Sequence, residues 1–419
     1  DLLPVDPAFR YRFPDGTELD MPHDQAAVGP ALADVLGPDA AADWQRLTTH
    51  ASDLWRVVGR PVLEQPLAGL RDLAGRATAI RDLVRVAPWR SLRTLGRTRL
   101  RDPRLRILLD RYATYTGSDP RRAPAALATI VWAEQHFGCW YVRGGLRRLA
   151  EALADHCREL GVRVLLDTEV AQVNTTGSGA SGVTTADGRV LPADIVVCDA
   201  DARHLYSRLV DDPRARRPLR SLEKTQPSLS GFVMLLALRG RTPRPAHHRV
   251  LFPADYDAEF DALFGNRTRP VADPTVYVSA PDDSTLRPDD DHEAWFVLVN
   301  APRSGPPGSP GTVDWDAPGR ASAYADNILD VMAARGLDVR HRVLWRETRT
   351  PADLERATAA PGGAIYGSSS NGARAAFLRP SNRSPVPGVF LVGGSAHPGG
   401  GLPLVALSAA IVARQIGPA

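Results

Sequence analysis

The residues with the clearest capacity for chemistry lie near the end of the chain. After Pro387-Gly388, the apolar stretch Val389 to Val392 reads as a strand. It runs into Gly393-Gly394-Ser395-Ala396-His397-Pro398-Gly399-Gly400-Gly401-Leu402-Pro403, and then into a helix from about Leu404 to Gln415. Glycines at this density let a backbone come close to a flat ligand. Pro403 suits a first helical turn, and the helix it opens presents free N–H groups and a partial positive charge. Such an end stabilises a phosphate, or the negative charge that develops on the pyrimidine side of a reduced flavin. A plain glycine-rich turn between strand and helix is the competing reading. His397, inside the loop, is a candidate to contact the edge of such a ring or donate to a carbonyl, against a role in capping the next turn. Tyr366, in "GGAIYGSSSNG", is a candidate to line a substrate channel.

A second glycine pattern carries less. Gly177, Gly179 and Gly182 in "GSGASG" spell a literal GxGxxG. A dinucleotide fingerprint needs a helix directly after the glycines, so that its N-terminus meets the pyrophosphate. Val183-Thr184-Thr185 continues as strand, so this is expected to be a hairpin loop. No HExxH, no GxSxG elbow and no paired-cysteine redox motif occurs. Removing two hydrogens onto a bound cofactor would need geometry more than a protein nucleophile.

The elements that must hold these residues follow from pattern. The strand, Asp15-Gly16 turn and strand of Asp1 to Asp20 read as a chain that opens in mid-domain. Helical periodicity runs from Ala31 to Leu109, with Leu70, Leu73, Ala77, Ile80, Val84 and Ala87 on one face and Arg71, Arg76, Arg81 and Arg85 on the other. Arg85 to Arg106 holds eight arginines and one acid, Asp102, among Trp89, Leu92, Leu95, Leu100 and Leu105. That stretch is read either as an amphipathic segment on an anionic lipid surface or as a solvated helix pair packed on a core.

Trp140 to Val142 reads as a short strand and Gly144-Gly145 as a tight turn. Leu146, Leu149, Leu153 and Leu160 read as the buried face of a helix ending at Gly161. Val162 to Leu166 is expected to be a buried strand. Thr168 to Asn174 and Val183 to Leu191 are expected in a small antiparallel element turning at Asp187-Gly188, and Ile195 to Cys198 as a further buried strand. From about Leu205 to Ala360, strands at Gly231 to Leu238, Thr275 to Ala280 and Ala294 to Asn300 alternate with proline-rich connectors. A helix is expected near Ala321 to Arg335.

Composition bounds the partners. The chain has 419 residues, 43% of them hydrophobic, enough for one large core or two. Its 51 Lys plus Arg nearly cancel 48 Asp plus Glu, so no overall footprint for nucleic acid exists. Lys224 is the sole lysine. Cys139, Cys157 and Cys198 lack CxxC spacing, which suggests neither a disulfide framework nor a zinc site and fits a reducing cytoplasm. No run of about 18 apolar residues occurs, so membrane contact is expected to be peripheral.

"GVFLVGGSAHPGGGLPLVALSAA" resembles the C-terminal flavin motif of the phytoene desaturase family of FAD-dependent carotenoid desaturases and isomerases. "FGCWYVRGGLRRLAEAL" followed by "GVRVLLDTEVAQV" is similar to a second block of that family, and "GSDPRRAPAAL" to a further segment. The resemblance implies an α/β (α+β) fold, the FAD/NAD(P)-binding flavoprotein fold of glutathione reductase and amine oxidase type. The chain is expected to divide into a substrate- and membrane-facing segment (1–136), FAD-binding parts (137–204 and 361–419) and a domain (205–360) assigned to substrate binding by elimination. The resemblance also implies a hydrophobic polyene substrate such as phytoene, peripheral membrane association and hydride transfer to the flavin.

Residue by residue, the resemblance places Gly393, Gly394, Gly400, Gly401, Leu402, Pro403 and Leu404 against the ribityl and isoalloxazine parts of FAD. It lines the flavin side with Gly144 and Gly145, and it sets the Val170 backbone at the adenine. Asp102 and Arg106, in "DPRLRILL", resemble a polar pair of the family's substrate region and are candidates for acid–base work, against an i,i+4 salt bridge on a helix face. The family's N-terminal βαβ unit with its GxGxxG is absent from this chain, so the pyrophosphate is expected to lack its main helix terminus here. Two alternatives stand beside the desaturase: a flavin amine oxidase, and a non-catalytic isoprenoid-binding remnant.

Overall fold

A mixed seven-stranded sheet organises most of the chain. The structure is a computed structural model and describes residues 1–67, 89–372 and 379–418. From one edge the strands are Val343–Arg349, Ser230–Arg239, His292–Ala301, Val276–Ser279, His248–Leu251, Phe9–Arg12 and Glu18–Met21. All neighbours are antiparallel except His248–Leu251 beside Phe9–Arg12, which run parallel. The first residues of the chain therefore join the same sheet as the 205–360 segment. As expected, the strand pair near the start turns through Gly16, whose φ of 86° suits a residue without a side chain.

Alternation along these strands sends side chains to two cores, because successive residues point to opposite faces. Phe232, Met234, Leu236, Leu238, Val276 and Val278 pack on one side against Tyr324, Ala325, Ile328, Leu329 and Met332 of the Arg320–Ala334 helix. On the other side Phe9, Tyr11, Val250 and Phe252 meet Trp44, Leu47, Ala51 and Leu54 of the Pro38–Val58 helix, together with Leu92, Leu95, Leu105 and Leu108. Each such side chain contributes about 1.5–3 kcal/mol by leaving water.

The Pro38–Val58 helix is opened by Pro38 and Asp39 and leads into a wider, π-helical turn over Gly59–Leu63. The Leu70-to-Ala87 face lies outside the described residues. The basic stretch that follows is a helix pair, Leu92–Arg99 and Pro103–Arg111. Its Leu92, Leu95, Leu100 and Leu105 are buried in the core, whereas Trp89 is 64% exposed. Arg93, Arg101 and Arg104 pair with Asp110 and Asp257, with Asp43, and with Asp102. The core has taken the apolar face that the lipid-surface reading of Leu92 to Leu105 required.

The third region holds the glycine loop. Val389–Leu391 pairs in parallel with Val196–Cys198, beside a three-stranded antiparallel sheet of Val170–Thr176, Gly179–Thr185 and Val190–Pro192. "GSGASG" is the expected hairpin: a Cβ on Gly182 would come 2.2 Å from the Leu191 carbonyl oxygen, so the neighbouring strand fits only against a glycine.

Three expectations fail here. The Val196–Cys198 strand forms but is not buried, with Ile195 44% and Val197 47% exposed. The Arg147–Glu159 helix forms, but Leu146, Leu149, Leu153 and Leu160 are exposed, Leu160 by 70%. Val162 to Leu166 forms no strand, and Val162, Val164, Leu165 and Leu166 are exposed. A strand needs a ladder partner and an amphipathic helix needs a covering surface; among the described residues neither lies alongside these last two segments.

Candidate active site

The glycine loop is fixed from behind. Asn382, buried, donates through Nδ2 to the carbonyls of Leu391 (3.1 Å) and His397 (2.8 Å) and to Ser408 Oγ (3.0 Å). Ser408 Oγ donates to the same His397 carbonyl. Gly393, Gly399 and Gly401 have φ values of 89°, 143° and 98°, which side chains disfavour. At Gly401 the chain enters the Leu402–Ile416 helix, whose N-cap carries no side-chain hydrogen bond and whose first turn includes Pro403. Among the described residues, no N-cap side chain therefore satisfies the free N–H groups of that turn.

In front of the loop lies a largely apolar cavity of about 440 Å³. Gly399, Gly400, Gly401, Pro403, Leu404, His397 and Tyr366 line it from the loop side. Val58 and Val62 line it from the helix and turn ahead of Gly59–Leu63's end, and Leu127, Ile130 and Phe137 close the opposite side. Phe137 is 58% exposed, so the cavity reaches the surface there. Beside it Trp55, Trp132, His136 and Phe137 form an aromatic cluster with centroids 4.3–6.2 Å apart.

Polar groups interrupt these walls at few points. Arg379, buried, donates through one terminal nitrogen to the carbonyls of Tyr366 (2.7 Å) and Gly394 (3.1 Å), and burial pushes its guanidinium pKa down to about 10. Across the cavity Glu134 accepts from Tyr112 Oη at 2.6 Å and from Tyr115 Oη at 3.1 Å. Tyr115 in turn accepts from Arg111 at 2.5 Å. Arg111 is buried, with its guanidinium over the rings of Phe9, Tyr11 and Tyr115.

Of the residues singled out from sequence, Gly400, Gly401, Pro403, Leu404, His397 and Tyr366 meet in this one cavity. Gly393 and Gly394 sit behind it, and Leu402 points outward, 57% exposed. His397 directs Nε2 to the carbonyls of Val62 and Gln65, each at 3.0 Å, so that nitrogen carries the proton and ties the loop to the end of the π-helical turn.

Gly144 and Gly145 form the expected tight turn, with φ values of 82° and 88°. The Gly144 N–H donates to Asp283 Oδ2 at 2.7 Å, and Tyr141 Oη donates to the same oxygen at 2.8 Å. Val170 opens its strand opposite Thr185. None of these three residues lines the cavity. Asp102 and Arg106 lie outside it as well, and their side chains are not paired. Asp102 caps the Pro103–Arg111 helix and binds the Arg104 guanidinium, whereas Arg106 donates to the Leu100 carbonyl.

Sequence reasoning missed Glu134, Tyr115, Arg379 and Asn382. A signal existed only for Glu134, a carboxylate within the otherwise mostly apolar "TIVWAE" of a helix.

The residues present fit a flavin ring. The glycine-rich wall, the uncapped helix terminus and the Arg379 cation supply close approach and positive potential for a ring that gains negative charge. The cavity falls in the range of about 300–1,000 Å³ usual for small-molecule sites.

Comparison with known proteins agrees. Residues 89–295 match the family described as flavin containing amine oxidoreductase. A hydroxyneurosporene desaturase of Cereibacter sphaeroides is 34% identical over 99% of the chain and 81% of its own length. A zeta-carotene-forming phytoene desaturase of Myxococcus xanthus is 31% identical over 99% and 78%. A 4,4'-diapolycopene oxygenase of a Methylomonas species is 31% identical over 98% and 82%. Among solved structures, a redesigned putrescine oxidase superposes with a TM-score of 0.57 at 11% identity, covering 94% of this chain and 76% of that one. Cyclohexylamine oxidase of Brevibacterium oxydans gives 0.52 at 13%, covering 99% and 82%.

Proposed function

The chain belongs to the carotenoid desaturase family of FAD-dependent oxidoreductases, and from that premise we propose that its 440 Å³ cavity is where a hydrophobic polyene such as phytoene is held for desaturation. One observation carries the reading: the glycine loop and the apolar side chains Val58, Leu127, Ile130 and Phe137 are walls of the same space. When bound, the flavin supplies hydride acceptance.

The chain's own residues do the rest. Gly399 to Gly401 allow close approach of a ring, and the terminus of the Leu402–Ile416 helix and Arg379 offer positive potential beside it. Tyr366 packs against Gly400 and lines the cavity from the loop side. The apolar walls exclude water, which keeps a carbon centre that has lost hydride from being trapped. Peripheral membrane association belongs to the same proposal, because such a substrate dissolves in bilayers. No helix among the described residues is long and apolar enough to cross one.

The test is expression from the complete coding sequence in a phytoene-accumulating bacterium. The expected outcome is a protein that purifies yellow with FAD and a polyene whose absorption moves to longer wavelength. A folded, colourless protein with unchanged phytoene would overturn the reading, and oxidation of a simple amine without polyene turnover would favour an amine oxidase instead.

A further inference from the structure

Desaturation removes a hydride from one carbon and a proton from its neighbour, so the site needs a base as well as a hydride acceptor. Few groups around the cavity qualify. Arg379 is a cation. His397 donates its Nε2–H to two carbonyls, which leaves only Nδ1 to accept a proton. The phenols of Tyr115 and Tyr366 are held in their protonated form, because burial raises their pKa values, so neither offers an anionic base. Glu134 is the only carboxylate among the described residues that line the cavity.

Its setting suits the task. Tyr115 accepts from Arg111, which leaves its own O–H to donate to Glu134 Oε2, and Tyr112 donates to Oε1. With donors on both oxygens, the network is complete for an ionised carboxylate. Burial raises the proton affinity of Glu134 above that of an ordinary carboxyl, while the two tyrosines and the Arg111 charge restrain the rise. A base that is ionised at rest yet holds a proton more firmly than a carboxylate in water is matched to a carbon acid activated by hydride loss.

We propose that Glu134 is the catalytic base that takes the proton released as the new double bond closes. The C–H bond next to the hydride-donating carbon breaks, its electron pair becomes the second bond of C=C, and an O–H bond forms on Glu134. The substrate loses two hydrogens: the hydride would go to a flavin held at the glycine loop, and the proton goes to the carboxylate, which returns it to water before the next turnover. Tyr112, Tyr115 and Arg111 are positioning residues that hold the carboxylate toward the cavity and stay in their own protonation states. This inference rests on the reading of the cavity as the polyene site.

The test compares wild type, Glu134→Gln and Glu134→Asp as flavin-loaded enzymes from the complete coding sequence, with phytoene in liposomes. Glu134→Gln is expected to keep wild-type flavin content and wild-type phytoene binding, while its desaturation rate falls roughly 10²–10⁴-fold. Glu134→Asp recovers part of the rate. Infrared difference spectra between acid and neutral pH should show a buried carboxylic acid band in wild type that Glu134→Gln lacks. The acid limb of the kcat/KM profile should disappear with it. The groups that face Glu134 and shape that limb are Arg111, Tyr112 and Tyr115, with Tyr11, Cys139 and Tyr277 within reach of its charge.

A Glu134→Gln enzyme within threefold of the wild-type rate overturns the proposal. So does one whose phytoene binding and rate fall in parallel, since that marks a structural role. Failure of wild type itself to bind flavin or phytoene would instead strike the functional reading beneath it.

Discussion

Tyr366 occupies the space into which a side chain at Gly400 would grow: a Cβ built on Gly400 comes 2.4 Å from Tyr366 Cδ1. Gly400→Ala should therefore lower the unfolding free energy by about 1–3 kcal/mol through overpacking. Removing the ring with Tyr366→Ala in the same chain should return part of that loss, because the two residues share one space. Gly401 is the control: its φ of 98° strains any side chain whatever Tyr366 does, so Gly401→Ala should gain nothing from Tyr366→Ala. Denaturant unfolding of the three single variants and the two double variants checks this, and an absent coupling between positions 400 and 366 would contradict it.

His397 spans from the glycine loop to the carbonyls of Val62 and Gln65. Replacing it with alanine removes a buried donor shared by two acceptors, a loss of about 1–3 kcal/mol. Amide exchange over residues 59–67 should speed up more than exchange in the Leu402–Ile416 helix. Unchanged exchange together with lost turnover would assign the ring to the chemistry instead.

Much of this site was legible because its signals are local. Strand, glycine loop and proline-opened helix are contiguous from Val389 to Ile416, so spacing alone located them. The cavity's far wall was not legible, because Glu134 and Tyr115 reach the loop only through tertiary packing. Amphipathicity had a second limit at Leu146, Leu149, Leu153 and Leu160. It identified the apolar face of that helix correctly, but the hydrophobic pattern says which side seeks cover and not whether cover is present. The chain spans about four-fifths of the length of the relatives compared above. At Asp102 the reading went to a partner four residues on, whereas an N-cap carboxylate turns back to the first turn and finds Arg104.

That cap makes a separable prediction. Asp102→Ala should cost about 0.5–2 kcal/mol of stability, the usual range for a lost N-cap. Turnover per folded molecule should stay the same, since the residue lies outside the cavity. Thermal unfolding alongside single-turnover rates decides. A collapsed rate at unchanged stability would return Asp102 to the reacting centre.

Asp283 links the Gly144–Gly145 turn to the segment before the His292–Ala301 strand, and it should make the fold acid-sensitive. The Gly144 N–H and the Thr285 and Tyr141 hydroxyls donate to its carboxylate, which they hold well below the ordinary carboxyl pKa. A depressed native pKa means that the unfolded chain binds the proton first. The stabilisation is therefore full above the ordinary value of about 3.9 and is lost as pH falls toward the native one. At neutral pH Asp283→Asn should cost about 1–3 kcal/mol, because the amide lacks the charge and turns a donor toward donors. Between about pH 5 and pH 2 the variant's stability should also fall less steeply than that of wild type. Denaturant midpoints measured across that range test both statements, and parallel curves for the two proteins would refute the linkage.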